Sequence, residues 1–364
     1  MMLSASRKAY AFRYQKHLVL KKAIKFNVLR TSVYFFHTSR GNESTAEEIS
    51  KILMHNNWQF LLESSTVPQE KLNPDVVQSV LRRNQLDIHP KRLLDFFNWS
   101  NQQMGTPQNL DSFSILNLIL CNSNLFSLAN GLLSKMIETR IPVLDILSSL
   151  LECCKECDRL KSRSVVFELL IDAYRTKGFL NEAFSVFLGA KDGKFMPNLL
   201  CCNSLLKDLM KSNRMELFWK VYEGVVESGV PLDVYTYTSV IHAYCKLGNV
   251  GEAKRILRVM EENGCTPNLV TYNVVIRGLC GKGAVDEALQ LKRSMDDKGL
   301  IPDNYTCSIL IDGFCKQKRS VEANSILEEM NDMGLRPDQI ACTALIDGFM
   351  KEGNIEGAFR IKDA

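Results

Sequence analysis

Residues 269–303 read LVTYNVVIRGLCGKGAVDEALQLKRSMDDKGLIPD, and the chain on either side falls into register with them. Apolar residues recur at helical spacing in TYNVVIRGLC and again in VDEALQLKRSM, which predicts two short helices joined by a turn. At a period of 35, segments 164–198, 199–233, 234–268 and 304–338 align with this stretch without gaps, and 339–364 begins another copy. Position 8 is Ile171, Leu206, Ile241, Ile276, Ile311 and Ile346. Alanine recurs at position 20 as Ala183, Ala253, Ala288, Ala323 and Ala358, small enough for two helices to approach closely. Glycine stands at position 15 in Gly178, Gly248, Gly283 and Gly353, where a helix ends in left-handed geometry. A second glycine at position 31 (Gly229, Gly264, Gly299, Gly334) and proline at position 34 (Pro197, Pro267, Pro302, Pro337) close the unit.

Such a hairpin cannot bury its apolar stripe alone, so the repeat predicts an all-α solenoid, wound to either hand, with a continuous core and an extended concave groove. Two units are looser. Segment 199–233 has Asn213 and Phe218 where glycine and alanine recur, with Pro231 one step early, and 304–338 has Lys318 at its turn. Upstream, Cys121, Ala129 and Met136 keep positions 12, 20 and 27, so 110–163 reads as degenerate repeat-like helices. Residues 43–109 hold apolar helical stretches between Pro68, Pro74, Pro90 and Pro107, and predict an N-terminal helical capping region. The array proper is 164–364, and the sequence stops inside a second helix, the pattern expected of a fragment or truncated product.

The formal net charge of +4 conceals a division. Residues 1–42 carry nine Lys or Arg and no Asp or Glu, whereas 43–364 carry 36 basic and 41 acidic residues. A basic, acid-free start interleaved with Leu3, Tyr10, Phe12, Leu18 and Phe26 is the profile of a transit peptide, mitochondrial rather than plastid by its modest Ser and Thr content. The competing reading is a basic arm that binds nucleic acid directly.

Several classes are excluded. No run of 18 apolar residues suggests a membrane span. Of 12 cysteines, seven sit at repeat positions 4 and 12 as small core-facing residues, and the lone Cys154-Lys-Glu-Cys157 pair is a weak zinc signal. The five histidines form no i,i+4 pair, and no phosphate loop, GxSxG or deaminase signature is present. The expectation is no metal, no cofactor, no small-molecule ligand and no catalytic residue. Acidic pairs such as Asp296-Asp297 and Glu328-Glu329 read as solvated helix faces.

TYN near the start of the unit, GLCKxG-type turns, a DEA segment and a closing G-x-x-PD resemble the pentatricopeptide repeat family, over 164–364 and weakly back to about 110. Even 35-residue units look like the P subclass, and LLDFFNWS (Leu93–Ser100) is similar to the leader region of plant organellar members. The resemblance implies a right-handed superhelical α-solenoid that binds single-stranded RNA, one base per repeat. In the family, positions 5 and 35 read the base edge and an apolar residue at position 2 packs on base faces. Carried onto this chain, Asn203 with Asp233 would favour uracil, Thr238 with Asn268 adenine, Asn273 with Asp303 uracil, and Ser308 with Asp338 guanine. Thr343 suggests a purine, and Glu168 with Asn198 departs from the family's choices and leaves its base undetermined. The stacking positions are Leu200, Tyr235, Val270, Tyr305 and Ile340, and family polarity gives U-A-U-G followed by a purine.

The implied role is an organellar RNA-binding adaptor in transcript stability, processing, splicing or translation, with RNA-processing proteins as further partners and no membrane. The alternatives are a protein–protein scaffold using the same groove, or a truncated product without function. Asn, Asp and Thr at these positions also suit plain helix caps, and the residues at position 2 suit packing between hairpins. A net charge of −5 for 43–364 requires any RNA groove to be locally basic.

Overall fold

The computed structural model describes residues 40–65, 71–84, 87–156 and 163–363. The expected transit peptide therefore lies almost wholly outside the described residues, as do His17, His37, Pro68 and Cys157. Among the described residues every regular element is helical. The chain divides into two compact units, one ending at Leu205 and the other beginning at Leu206.

In the first unit the helices are α1 (Arg40–Leu53), α2 (Trp58–Ser64), α3 (Pro74–Arg83), α4 (Pro90–Gln103), α5 (Leu110–Asn122), α6 (Phe126–Glu138), α7 (Val143–Glu156), α8 (Val165–Thr176) and α9 (Leu180–Asp192). Helices α1, α3, α5 and α7 pack in succession, each on the next. Trp58 of α2 meets Phe96 and Trp99 of α4 edge-on at 6.4 and 6.1 Å, so bulky aromatics do here what small alanines do in the array. Helix α7 is an addition to the pattern: it packs on α5 and α9, while α8 packs on α6 and α9.

From α10 (Leu199–Lys211) onward the hairpins are regular: α11 (Met215–Glu227), α12 (Val234–Lys246), α13 (Val250–Glu262), α14 (Leu269–Gly281), α15 (Val285–Asp297), α16 (Asn304–Lys316), α17 (Ser320–Asp332), α18 (Gln339–Lys351) and α19 (Ile355–Asp363). From α12 on, first helices span repeat positions 1–13, and complete second helices positions 17–29. Each first helix from α14 to α18 packs on both helices of the hairpin before it, which is how a stripe too small to fold alone becomes a continuous core. The turn at position 15 is left-handed at Gly248 (φ 74°) and Gly283 (φ 77°), and also where glycine is missing, at Asn213 and Lys318 (φ 56° each). The motif is the same at Gly283, whose N–H donates to Cys280 O while Ala284 N–H donates to Leu279 O, both at 3.0 Å.

A seam at positions 10 and 12 explains the cysteine recurrence. A Cβ built on Gly278 would lie 2.5 Å from Cys245 Sγ, one on Gly313 2.7 Å from Cys280 Sγ, and one on Gly348 2.8 Å from Cys315 Sγ. Each glycine thus receives the thiol of the preceding hairpin. Burial pushes the Cys280 thiol up to about 12 and the Cys245 thiol up to about 11, so these sulfurs stay protonated packing groups. The acidic faces of second helices are less bland than expected: Asp296 and Glu329 both pair with Lys292, whose side chain is buried.

Candidate nucleic-acid interface

Every residue at position 35 from Asp233 on is an N-cap. Asp233, Asn268, Asp303 and Asp338 accept from the backbone N–H three residues on, at Thr236, Thr271, Thr306 and Ala341, over 2.8 to 3.0 Å. The capping bonds of Asn268, Asp303 and Asp338 fall on Oδ1, so the second atom of each fork takes no part in the cap. Capping and base reading are therefore compatible roles of one side chain.

Position 5 is brought to position 35 in two ways. Ser308 Oγ reaches Asp338 Oδ1 directly at 3.3 Å and donates to Asn304 O at 2.7 Å. Two further pairs meet through a hydroxyl that the sequence reading passed over. Thr306 Oγ1 lies 2.8 Å from Asn273 Oδ1 and 2.8 Å from Asp303 Oδ1, and Thr271 Oγ1 lies 2.8 Å from Thr238 Oγ1 and 3.0 Å from Asn268 Oδ1. The signal was the recurrence of threonine at position 3 in Thr236, Thr271 and Thr306, broken by Cys201 and Ala341. Asn203 is half-buried on α10, and Thr343 is exposed on α18.

Leu200, Tyr235, Val270, Tyr305 and Ile340 at position 2 are 76, 75, 60, 47 and 71% exposed, so none is buried in the core between hairpins. Successive members wall a slot. Val270 and Tyr305 bound a concavity of about 820 Å³ that also holds Asn273 and Asp303. Tyr305 and Ile340 bound the next, about 390 Å³, with Ser308 and Asp338. Arg277 lies over the Tyr305 ring at 5.0 Å and belongs to both slots. With Lys246, Arg277 and Lys282 against Asp303, the first slot is locally basic, whereas in the second Arg277 and Lys316 are balanced by Asp312 and Asp338. His242 shares the first slot, where burial and then the Arg277 and Lys246 charges hold its imidazole below the ordinary value.

The first unit carries the same clasp in altered form. Glu168 accepts from both Asn198 N (3.0 Å) and Asn198 Nδ2 (2.7 Å), so the departing carboxylate is taken up by its own partner. Burial raises its pKa, the Asn198 N–H lowers it, and the Asp172 charge raises it further, with a net upward shift. An unexpected pair stands further upstream: Asn109, the N-cap of α5, donates to Gln78 Oε1 at 2.9 Å and accepts from Ser112 N at 2.8 Å. The signal was Asn73-Pro-Asp and Asn109-Leu-Asp, spaced almost one repeat apart. No group of side chains suited to a metal ion occurs among the described residues, and no described helix is long and apolar enough to cross a membrane.

Sequence models of the PPR repeat family match residues 197–246, 232–281, 267–316 and 310–351, and a PPR repeat matches 340–363. A mitochondrial pentatricopeptide repeat-containing protein of Arabidopsis thaliana, At5g61990, is 43% identical over 210 residues, covering 58% of this chain and 21% of the relative. A chloroplastic one from the same plant, At4g19440, is 30% identical over 276 residues, covering 71% of this chain and 32% of the relative. The chain thus spans about a fifth to a third of the length of these two relatives. The crystal structure of the pentatricopeptide repeat protein PPR10 from maize superposes with a TM-score of 0.51 at 21% identity, over 84% of this chain and 45% of that one. Repeat matches that tile 197–363, over hairpins with capped first helices and left-handed turns, make the chain a member of the pentatricopeptide repeat family.

Proposed function

We propose that this chain binds single-stranded RNA in mitochondria, one nucleotide per hairpin, and acts as an adaptor on an organellar transcript rather than as an enzyme. The observation that carries the reading is the row of exposed apolar residues at position 2, each beside a polar pair. Tyr305 borders two successive slots, with Arg277 over its ring, and so offers aromatic surface beside each polar pair for an unstacked base. Side-chain amides and hydroxyls at the floor of each slot match the Watson–Crick edge of a splayed base. Lys246, Arg277 and Lys282 in the first slot supply phosphate attraction that the overall charge does not. A peptide-binding scaffold calls for neither the polar pairs nor the slot-by-slot register.

The proposed track is U-A-U-G followed by a purine, read by Asn203/Asp233, Thr238/Asn268, Asn273/Asp303, Ser308/Asp338 and Thr343. The basic start over 1–42 and the relative named as mitochondrial support the compartment. The test is binding of the full chain to fluorescent UAUGA and to a scrambled RNA at two salt concentrations. UAUGA is preferred, more weakly at high salt, and Ser308→Asn moves the fourth nucleotide from G toward U by roughly tenfold. Equal binding to both RNAs by the folded parent refutes the track, and no binding to either favours the scaffold.

A further inference from the structure

We infer that the buried threonine at position 3 fixes which way the position-5 side chain of the preceding hairpin presents its hydrogen-bonding atoms, so that Thr306 is a specificity-determining positioning residue for the base under Asn273 and Asp303. The inference rests on the base-reading function proposed above and goes one layer behind it.

Thr306 is fully buried, so no nucleotide touches it. Its hydroxyl lies 2.8 Å from Asp303 Oδ1 and 2.8 Å from Asn273 Oδ1, and it carries a single proton. Asp303 is a carboxylate that only accepts, and its Oδ1 already takes the Thr306 N–H at 2.8 Å. A proton given to the charged oxygen makes the stronger bond, so Thr306 donates to Asp303 and turns its lone pairs toward Asn273. Two oxygens at that distance with no proton between them repel. A half-turn of the Asn273 amide, which leaves its shape unchanged, places Nδ2 on Thr306 and Oδ1 in the slot. The Thr306 hydroxyl and one Asn273 N–H then each have an acceptor.

The consequence is chemical. An outward Oδ1 accepts from the ring N–H of uracil and opposes the ring-nitrogen lone pair of cytosine. An outward Nδ2 would reverse the choice. Asn273 alone is ambivalent between the two pyrimidines; the buried relay removes the ambivalence. The neighbouring hairpins agree. Asn268 Oδ1 accepts both the Thr271 N–H and its hydroxyl at 3.0 Å, so Thr238 donates to Thr271 and offers lone pairs to its slot, a surface for the adenine amine. Where Ala341 replaces threonine, Ser308 meets the Asn304 carbonyl at 2.7 Å and the Asp338 carboxylate directly at 3.3 Å, with no relay between them.

The experiment compares UAUGA with UACGA for the parent chain and for Thr306→Val, Thr306→Ala and Thr306→Ser. Alanine is already accommodated at this position in Ala341, so Thr306→Ala keeps the test open if valine disturbs packing, with thermal melts reporting folding. The parent prefers U over C at the third nucleotide by roughly tenfold, the Val and Ala variants bring the ratio close to one, and Ser restores it. Discrimination at the second nucleotide, A against G, is unchanged in all four. A ratio retained in folded Val and Ala variants overturns the relay and leaves the RNA-binding function standing. Loss in the Ser variant as well overturns it in favour of plain packing. A parent that binds UAUGA and UACGA alike overturns both the relay and the proposed uracil reading.

Discussion

The hairpins α3–α6 and α14–α17 share one polar clasp and differ in what stands beside it. Both place an Asn or Asp as N-cap and join it to a polar residue on the preceding first helix, as in Asn109 with Gln78 and Asp338 with Ser308. At the second helical residue the array has Val270 and Tyr305, exposed and apolar, whereas the N-terminal hairpins have Asp75 and Asp111. Asp111 is moreover consumed: it accepts from Ser149 at 2.7 Å and from Gln78 at 3.2 Å, which ties α3, α5 and α7 together. The clasp is thus scaffold in one region and the floor of a slot in the other. What separates them is whether a base finds a flat apolar face beside the polar pair.

Putting an N-terminal residue into the array attacks that distinction most directly. Tyr305→Asp removes a wall from two slots and adds a negative charge, and should weaken binding of UAUGA by roughly a hundredfold. The thermal midpoint should move by no more than about a few degrees, because the ring is half exposed. A binding loss under about threefold would mean that position 2 does not stack on RNA.

A smaller effect compares the turns of the two regions. Asn124 between α5 and α6 and Lys318 between α16 and α17 both take left-handed geometry, with φ 57° and 56°. Asparagine visits that region readily and lysine does not, so Lys318→Gly should stabilise by about 1 kcal/mol and Asn124→Gly by clearly less in chemical denaturation. Equal gains would show that the two turns are strained alike.

The smallest effect concerns Glu168, the clasp that has neither an array pair nor a threonine behind it. Its raised pKa means that the folded chain holds a proton the unfolded chain has already released. Its contribution to stability is therefore fully present below the ordinary glutamate range and declines as pH rises through the raised folded value. Melting of the parent should fall relative to Glu168→Gln as pH rises above the ordinary glutamate range, and a constant difference would place the carboxylate in an unperturbed setting.

The periodicity made the hairpins, their turns and the groove residues legible, because each of those features repeats within one unit. Gly283 could be placed at a left-handed turn, and Tyr305 at position 2, by counting alone. The Thr306 relay and the Gly313–Cys280 seam were not legible, since each joins residues of different hairpins whose neighbourhood exists only after stacking. Gln78 and Asn109 escaped for another reason: the N-terminal hairpins keep the cap but lose the glycines at positions 15 and 31 by which the repeat is recognised.

Because Asp303 and Asp338 each cap a helix and border a slot, heredity could edit the proposed message without disturbing the vessel. Aspartate and asparagine cap helices about equally well, so under the proposed track an exchange at Asp303 would alter the letter being read while the fold scarcely registers it. On that proposal, selection on the nucleic acid and selection on folding act on nearly independent axes, and a lineage of such chains would drift from one transcript to another through intermediates that all still fold.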